Sequence, residues 1–473
     1  MSTTPSILKS QEAVAITGGR IKGGQWQAGG VSIDTRTMRP GDVFVAIEGE
    51  ARDGHDFIAD AFEKGACAAI VSKDIEGVSG DFLIVDDTLA ALQALGKAAR
   101  GNFGGLTIGV TGSVGKTGTK EMLAACFEEF GQSYASKASY NNHLGVPLSL
   151  LNIPNGTDFG IFEMGMNHAG EIRGLTRIAR PDIAIITTVE AVHIENFDNV
   201  EGIADAKAEI FEGMSPDSIA ILNEDTPHLA RLKAAAQTQG LSRIYTFGEG
   251  AEADGRLLKV IEASNGLRVK ADIMGEEVSF TLGLFGRHQA MNALSVILAA
   301  KLAGYDGQKA ADALGRIEPL AGRGKRESLN YGHPDNPVTL IDESYNSSPV
   351  AMTAAFKVLA LIDPGRGGRR IAVLGDMLEL GNDAPKYHKD LALPLKAANI
   401  DFVYTCGAMM KNLHDELPQD MGKVHRESSQ ELAEIVPDAI SPGDVVMVKG
   451  SLGSNMQVVV EALREKPKTI ANR

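Results

Sequence analysis

The stretch that decides the fold runs from Leu106 to Leu123 and reads LTIGVTGSVGKTGTKEML. It begins with a short apolar run typical of a buried strand, and from its end onward apolar residues recur at helical spacing. A glycine-rich loop with Lys116 and Thr117 lies between these two parts. The order of strand, glycine loop and helix indicates an anion site, because backbone N–H groups and the helix N-terminus then point at a phosphate.

The loop residues define the predicted nucleotide contacts. We assign these contacts to Gly112, Ser113, Val114, Gly115, Lys116, Thr117 and Gly118. In such a loop the lysine reaches the β- and γ-phosphates and the threonine hydroxyl binds Mg²⁺. The strict pattern has a glycine where Val110 stands, so this loop is a shorter variant. A plain glycine turn with a surface lysine is the alternative, and the motif alone predicts a nucleoside triphosphate without naming a reaction.

Length and composition exclude several classes of protein. The 473 residues correspond to about three domains. A formal net charge of −15 argues against a broad nucleic-acid-binding face, which needs basic residues. The 3 cysteines lie far apart, which predicts neither a zinc site nor a disulfide framework and fits a reducing compartment. The N-terminus lacks the pattern of a signal peptide and no apolar run is long enough for a membrane, so we expect a cytoplasmic protein.

Strand and helix patterns alternate along the chain, which predicts an α/β fold in three domains. Residues 1–104 form a small α/β domain, residues 105–318 a parallel sheet of the phosphate-loop ATPase kind, and residues 319–473 a Rossmann-like, doubly wound domain. Within the second domain, residues 255–285 alternate as hairpin strands do. These boundaries are placed at glycine-rich stretches between the periodic segments.

Lys207 lies on the apolar stripe of a predicted helix. The helix VEGIADAKAEIFEGM places Ile203, Ile210 and Phe211 on one face, and Lys207 falls among them by helical spacing. Burial lowers the pKa of a lysine because the charged form loses its solvation. A neutral amine can react with CO₂ to give a carbamate, which is a negatively charged metal ligand. The alternative is a lysine whose ammonium reaches solvent from the helix edge.

Three further polar residues end apolar strands, where open α/β sheets bind their ligands. Glu163 follows FGIFE and could bind Mg²⁺ or cap the next helix. His193 lies after the strand DIAIITTV and could be an ordinary loop residue. Asp342 closes the strand VTLIDES and could bind a ribose hydroxyl or cap a turn.

A series of motifs along the chain resembles one enzyme family, the Mur ligases of bacterial cell-wall synthesis. In order they are TGSVGKT, SYNNHLGVPLSLL, FEMGMNHAGEI, TTVEAVHIENF, AKAEIF, GRHQAMNAL, GRGKRE and DESYNSSP. The segment SIDTRTMRPGDVFVAIEGEARDGHDFI resembles the UDP-sugar domain of that family. DESYNSSP and VLGDMLELG are most similar to the member that joins D-alanyl-D-alanine to UDP-N-acetylmuramoyl-tripeptide. The resemblance implies ATP-driven amide formation through an acyl phosphate, and we expect a monomer without nucleic-acid or membrane partners.

The resemblance also implies the catalytic and metal-binding residues. Thr117 and Glu163 would serve the Mg²⁺ at the β- and γ-phosphates, while His193 and a carbamate on Lys207 would help to place a second Mg²⁺. Asn142 matches a residue near the reacting carboxylate. The catalytic residues expected on this basis are Lys116, Lys207, His193 and Asn142.

Substrate contacts are implied in the same way. The nucleotide would be bound by Asn292, Arg323 and Asp342, and the third domain would close over the phosphate loop with the last two. The sugar nucleotide would be bound by Ser32, Thr35, Arg36 and Asn142. Gln289 replaces an asparagine that the family often carries.

Rival functions stay open at this point. A sister ligase that adds diaminopimelate or lysine is disfavoured because its DNPR-type motif is not found. Folylpolyglutamate synthase is disfavoured because it lacks a UDP-sugar domain. A non-catalytic nucleotide-binding protein would need no carboxylate, histidine and lysine beside the phosphate loop.

Overall fold

The protein is seen in a computed structural model that describes residues 7–49, 52–137, 140–192, 194–263 and 266–466. The chain folds into two compact units. One comprises residues 1–189, 201–254 and 295–306, and the other residues 190–200, 255–294 and 307–473. Helices and strands are mixed in both units, so the predicted α/β class is confirmed. The boundaries of the three predicted domains stay a prediction.

The first hundred residues form a small sheet with helices. Its elements are β1 (Leu8–Lys9), α1 (Ser10–Thr17), β2 (Arg20–Lys22), β3 (Gln27–Ala28), β4 (Gly30–Ser32), β5 (Asp42–Val45), α2 (Ile58–Glu63), β6 (Ala68–Val71), β7 (Phe82–Ile84) and α3 (Thr88–Asn102). The sheet order is β2-β7-β6-β5-β4, with β2 antiparallel to β7 and the other pairs parallel. Strands β5 and β6 are buried along their full length, so they form the centre of this core.

The next region is the predicted parallel sheet. Its elements are β8 (Leu106–Thr111), α4 (Lys116–Phe127), β9 (Ser133–Ala135), α5 (Gly145–Leu151), β10 (Phe159–Glu163), α6 (Glu171–Ala179), β11 (Ile183–Ile186), α7 (Val200–Ala208), β12 (Ile219–Asn223), α8 (Leu229–Thr238) and β13 (Arg243–Gly248). Six strands run parallel in the order β13-β12-β11-β8-β10-β9. The carboxyl ends of β8, β10 and β11 therefore meet at one edge, which carries the phosphate loop and Glu163.

Three antiparallel strands and two helices follow. They are β14 (Gly255–Ala263), β15 (Gly266–Ile273), β16 (Glu276–Leu282), α9 (Arg287–Leu302) and α10 (Gly307–Leu314). Buried and exposed residues alternate along β15 and β16, which confirms the predicted hairpin strands. The Gln308 amide bonds the backbone of the last strand: its Oε1 accepts from the Ser279 N–H at 3.2 Å and its Nε2 donates to the Ser279 carbonyl at 2.9 Å.

The last region contains a further sheet of six strands. Its elements are β17 (Lys325–Leu329), β18 (Val338–Glu343), α11 (Pro349–Ala360), β19 (Arg370–Gly375), α12 (Ala384–Lys389), α13 (Ala392–Ala397), β20 (Phe402–Cys406), α14 (Met410–Glu416), β21 (Gly422–Arg426), α15 (Ser429–Ala439), β22 (Val445–Lys449) and α16 (Gln457–Glu465). The order is β17-β18-β22-β19-β20-β21, and only the pair β17–β18 is antiparallel. One core cluster packs α11 to α14 on the sheet and another packs α15 and α16, which confirms the doubly wound prediction.

Short 3₁₀ turns complete the described structure. They are Gly54–Phe57, Ile194–Asn196, Glu209–Gly213, Gly381–Asp383 and Leu452–Ser454. Within the described ranges, no helix combines the length and the apolar character needed to cross a membrane.

Candidate active site

The phosphate loop depends on two glycines with backbone conformations that side chains rarely allow. Gly112 has φ +148°, and a Cβ there would overlap the Thr187 hydroxyl. Gly115 has φ +87° and directly precedes α4, whose first residue is Lys116. Because a Cβ is disfavoured at positive φ, glycine is required at both positions for the loop to turn into the helix.

The end of β11 fixes the shape of this loop. Thr187 Oγ1 donates to the Val114 carbonyl at 2.6 Å, and the Ser113 N–H donates to the Thr188 carbonyl at 2.9 Å. Asn223 Nδ2 in turn donates to the Thr187 carbonyl at 2.9 Å. Sequence reasoning missed Thr187, although a hydroxyl directly after the neighbouring parallel strand is a usable signal for it.

Lys116 curls back over the loop. Its Nζ donates to the Gly112 carbonyl at 2.8 Å and to the Ser113 carbonyl at 3.3 Å. The ammonium group is thereby held against the loop, at the N-terminus of a helix. Both the charge and the helix end favour an anion at this place.

The structure brings the predicted metal-binding pair Thr117 and Glu163 together. Glu163 is 2% exposed, and its Oε2 accepts a hydrogen bond from Thr117 Oγ1 at 2.8 Å. Its Oε1 accepts from Asn141 Nδ2, also at 2.8 Å. A hydroxyl and a carboxylate are oxygen ligands of the kind that Mg²⁺ prefers. This pair therefore fits a magnesium ion beside the phosphate loop.

Asn141 was not predicted, whereas its neighbour Asn142 was. Asn142 Oδ1 accepts from the N–H groups of Leu144 and Gly145 at 3.1 and 2.9 Å, so this side chain caps the start of α5. Asn141 is the amide that contacts the buried carboxylate. A role of Asn142 at the reacting carboxylate stays a prediction.

Lys207 is buried, as the helical spacing predicted. It is 3% exposed, and Ile203, Ile210 and Phe211 beside it are fully buried. Burial lowers the pKa of the Lys207 amine well below its usual value, and the positive charge of Lys116 lowers it further. The alternative of an ammonium that reaches solvent is therefore wrong, and the surroundings shift the amine toward its neutral form.

One residue of the predicted metal site, His193, lies outside the described residues. Across the described ranges, no group of three or more His, Cys, Asp and Glu side chains is placed to hold a metal ion. Thr117 and Glu163 are the predicted ligands whose contact is established. The roles of His193 and of a modified Lys207 stay predictions.

Three residues of the second unit are predicted to contact the nucleotide. Asp342 is fully buried; its Oδ1 accepts from Ser344 Oγ at 2.6 Å and its Oδ2 from the Arg464 guanidinium at 3.2 Å. The Arg323 guanidinium lies 4.4 Å above the centre of the Tyr345 ring. Asn292 is 6% exposed on α9. Their contacts with a nucleotide stay predictions.

The predicted sugar-nucleotide loop is held by Asp34. The Arg36 guanidinium donates to this carboxylate from Nε, at 2.9 Å to Oδ1 and 3.1 Å to Oδ2, and from an Nη at 2.6 Å to Oδ2, and the Arg36 backbone N–H donates to Oδ1 at 2.9 Å. These bonds with Arg36 lower the pKa of Asp34. Ser32 Oγ donates to the Asp34 carbonyl at 3.0 Å, and the next residue in the chain, Thr35, is buried. These bonds hold Ser32 and Arg36 to Asp34, while the binding role of the loop stays a prediction.

Family models agree with the fold and the phosphate loop. Residues 27–99 match a model described as Mur ligase family, catalytic domain. Residues 110–300 match the Mur ligase middle domain, and residues 329–452 match the Mur ligase glutamate ligase domain. The chain belongs to the Mur ligase family, as its motifs predicted, and it is an enzyme of the ligase class.

Single relatives match over nearly the whole length. A UDP-N-acetylmuramoyl-tripeptide–D-alanyl-D-alanine ligase of Synechocystis sp. is 35% identical, with 93% of each chain covered. The crystal structure of MurF from Acinetobacter baumannii superposes with a TM-score of 0.85 at 27% identity, over 97% of this chain and 98% of that one. MurF ligase from Thermotoga maritima in complex with ADP gives a TM-score of 0.77 at 26% identity, over 92% and 97% of the two chains.

Proposed function

We propose that this chain joins D-alanyl-D-alanine to UDP-N-acetylmuramoyl-tripeptide and converts ATP to ADP and phosphate in the same reaction. This is an amide ligation of cytoplasmic peptidoglycan precursor synthesis, carried out by a monomer. The observation that carries the proposal is the full-length likeness to ligases named for this reaction. The Thr117–Glu163 contact beside Lys116 supports it, because ATP chemistry needs such a site.

The reaction has two bond-forming steps. An oxygen of the tripeptide carboxylate attacks the γ-phosphorus of ATP, which gives an acyl phosphate and ADP. The amine of D-alanyl-D-alanine then attacks the acyl carbon, loses a proton and expels phosphate. Water must be kept out between the two steps, since it would hydrolyse the acyl phosphate.

The phosphate loop serves the first step through its charge and its N–H groups. The substrate carboxylate and the triphosphate are both anionic, so they repel each other. Lys116 and the start of α4 offset this repulsion by stabilising the negative charge that develops on the transferred group. Gly112 and Gly115 allow the loop to approach the phosphates closely.

A magnesium ion fits the oxygen ligands at the end of β10. Thr117 and Glu163 would hold it, and Asn141 would orient the carboxylate. Such an ion supplies neutralisation of phosphate charge when it is bound. A second ion would be held by His193 and by the modified side chain of Lys207.

We further propose that Lys207 carries a carbamate. The neutral amine adds to CO₂, a new N–C bond forms and one proton is released, which leaves an anionic carboxylate on the side chain. Burial of Lys207 among apolar residues supports this, because a charged ammonium would not react. The negative charge then offsets the positive charges of Lys116 and the metal ions.

The remaining substrate contacts follow the family pattern. Asn292, Arg323 and Asp342 would contact the nucleotide. Ser32, Thr35, Arg36 and Asn142 would contact the UDP-sugar peptide, with Asn142 closest to its reacting carboxylate.

Phosphate release tests the proposal. Purified protein is given ATP, Mg²⁺, UDP-N-acetylmuramoyl-tripeptide and D-alanyl-D-alanine, each omitted in turn, and the products are identified by mass spectrometry. We expect phosphate release that requires all four components and a UDP-N-acetylmuramoyl-pentapeptide product, and no release by the matched Lys116→Ala variant. Release with a dipeptide precursor and a single amino acid would assign a sister reaction instead. No release with any acceptor would contradict the ligase assignment.

A further inference from the structure

A second buried lysine lies one turn beyond the metal-binding threonine of the phosphate-loop helix. Lys120 on α4 is 0% exposed and lies three residues after Thr117. Fully buried lysines are rare in proteins unless their charge is paired. Nothing in the proposed mechanism uses this side chain, so its burial needs a separate explanation.

Lys120 is bonded to the segment that leads into the active site. Its Nζ donates to the Ser136 carbonyl at 2.6 Å and pairs with Glu121 Oε1 at 2.8 Å. The Ser136 N–H donates to the Ile161 carbonyl of β10 at 3.0 Å. Lys120 therefore fixes the point where the chain leaves β9, next to the strand that ends in Glu163.

The same segment returns to the buried carboxylate only a few residues later. Asn141 Nδ2 donates to Glu163 Oε1 at 2.8 Å, and the Asn141 carbonyl accepts from the Gly165 N–H at 2.8 Å. Ser136 and Asn141 are thus each bonded to β10 or to its continuation. Lys120 adds a bond from α4 to Ser136, and Ser136 is bonded to β10 two residues before Glu163.

We propose that Lys120 is a positioning residue for the metal-binding pair. It ties α4, which carries Thr117, through Ser136 to β10, which ends in Glu163, so that one oxygen of Glu163 stays toward Thr117 while Asn141 occupies the other. Thr117 and Lys120 both lie on α4, so the bond from Lys120 fixes the helix that carries Thr117. The inference rests on the proposed function, since it assigns the pair a magnesium ion of the ligase reaction.

A charge-assisted hydrogen bond to a carbonyl suits this task. Such bonds are shorter and stronger than those between neutral groups. A misplacement of about 1 Å near reacting groups can cost about 100-fold in rate. The loss of Lys120 should therefore act on the metal-dependent part of the reaction more than on nucleotide binding by the loop.

The Lys120→Met variant tests the proposal, because methionine nearly preserves the volume and removes the ammonium. We expect a 10- to 100-fold lower kcat, and a several-fold higher Mg²⁺ concentration at half-maximal rate, from the effect of misplaced groups described above. Glu121→Gln is the matched control, since it keeps the bond from Lys120 to Ser136. Its kcat and Mg²⁺ requirement should stay within about threefold of the wild type, because glutamine keeps an acceptor for the ammonium and the bond that ties α4 to Ser136 is unchanged.

A binding measurement separates this inference from the proposed function. Calorimetry gives the affinity for β,γ-methylene ATP with and without Mg²⁺. We expect Lys120→Met to bind the metal-free analogue like the wild type and to lose most of the gain in affinity that Mg²⁺ provides. An unchanged gain, together with an unchanged Mg²⁺ requirement, would overturn the inference. Failure of the wild type to ligate would overturn the proposed function while leaving this measurement valid.

Folding is monitored by circular dichroism and melting temperature. If Lys120→Met does not fold, Lys120→Gln takes its place, because glutamine retains a neutral donor for the Ser136 carbonyl. We expect an intermediate loss of the Mg²⁺-dependent affinity gain for this variant. A lower melting temperature with wild-type values for kcat and Mg²⁺ dependence would show a purely structural role.

Discussion

Lys207 and Lys449 are equally buried, at 3% exposure each, but their surroundings are opposite. Lys449 at the end of β22 donates to Glu343 Oε2 at 3.1 Å and to the Asn346 carbonyl at 2.9 Å. Lys207 lies among Ile203 and other apolar residues, and the charge that acts on it is the like charge of Lys116. One lysine is paired as structural ion pairs are, and the other is placed where its charged form is penalised.

The surroundings of the two lysines favour different roles. Those of Lys449 favour a structural ion pair, and those of Lys207 favour the proposed chemical modification. A paired ammonium keeps its charge and holds two chain segments together. An ammonium that is desolvated beside another cation loses its proton and becomes a nucleophile for CO₂. Buried lysines in this fold should therefore be judged by the sign of the nearest charge and not by exposure alone.

The largest effect is expected from Lys207→Ala. Loss of the carbamate removes a metal ligand, so kcat/KM should fall by about 1,000-fold or more, a loss in the range seen when transition-state charge stabilisation is removed. A short carboxylic acid added to the assay should restore part of the rate, because it supplies the missing anion. The same acid should not stimulate the wild type, which is the control. A Lys207→Ala enzyme with near-wild-type rates would refute the carbamate.

The phosphate loop should be nearly as sensitive. At Gly112 a Cβ would overlap the Thr187 hydroxyl, so Gly112→Ala should weaken ATP binding by about 10-fold or more, as strained or displaced loop geometry costs about 1–3 kcal/mol. Gly174→Ala is the matched control, since nothing lies within 4 Å of a Cβ there and the residue is inside α6. That control should gain about 0.5–1 kcal/mol of stability with unchanged ATP binding. Equal ATP affinities for both variants would refute the loop geometry.

The same substitution at the two lysines should change stability in opposite directions. Lys449→Met leaves Glu343 without its partner, and because Glu343 is 27% exposed the cost should be about 1–3 kcal/mol, below that of a fully buried pair. Lys207→Met in CO₂-free buffer should be neutral or stabilising, because it removes the cost of burying an amine at a functional site. Denaturant midpoints measure both. A larger loss for Lys207→Met than for Lys449→Met would reverse the assignment of the two environments.

The smallest effect is expected for the three cysteine thiols, which have no part in the proposed chemistry and whose pKa values are raised mainly by burial. Burial raises the pKa of Cys126 and of Cys406 to about 12, and that of Cys67 to about 11. Since the thiolate is the reactive form, the folded protein should be alkylated very slowly at pH 8. Mass spectrometry should show three modifications after denaturation. Rapid alkylation of Cys126 in the folded protein would show that its core opens readily.

Periodic features of the fold could be predicted from the sequence, and irregular ones could not. The position of Lys207 on an apolar stripe followed from helical spacing, although spacing alone did not decide between burial and a lysine that reaches solvent. The edge that carries Glu163 followed from parallel strands. Helix α5 was missed because seven residues with a proline among them show no helical period. Strands β9, β17 and β21 were missed because they are the half-buried outer strands of their sheets and lack an apolar run.

The active site shows the same limit at the level of single side chains. Asn141 and Asn142 are adjacent amides in a loop, and no periodicity tells which of them faces Glu163. The backbone decides, since the Asn141 carbonyl is bonded to the Gly165 N–H. Thr187 was likewise missed, although its position directly after β11 was a usable signal for its contact with the phosphate loop.

The measurement that tests the central claim most directly is a ¹³C nuclear magnetic resonance spectrum of the protein in ¹³C-labelled bicarbonate. We expect a carbamate resonance in the wild type that is absent in Lys207→Ala and retained in Lys449→Met. That result would show that Lys207, which is buried among apolar residues, and not the ion-paired Lys449, carries the modification. The absence of the resonance from the wild type, or its persistence in Lys207→Ala, would contradict the account.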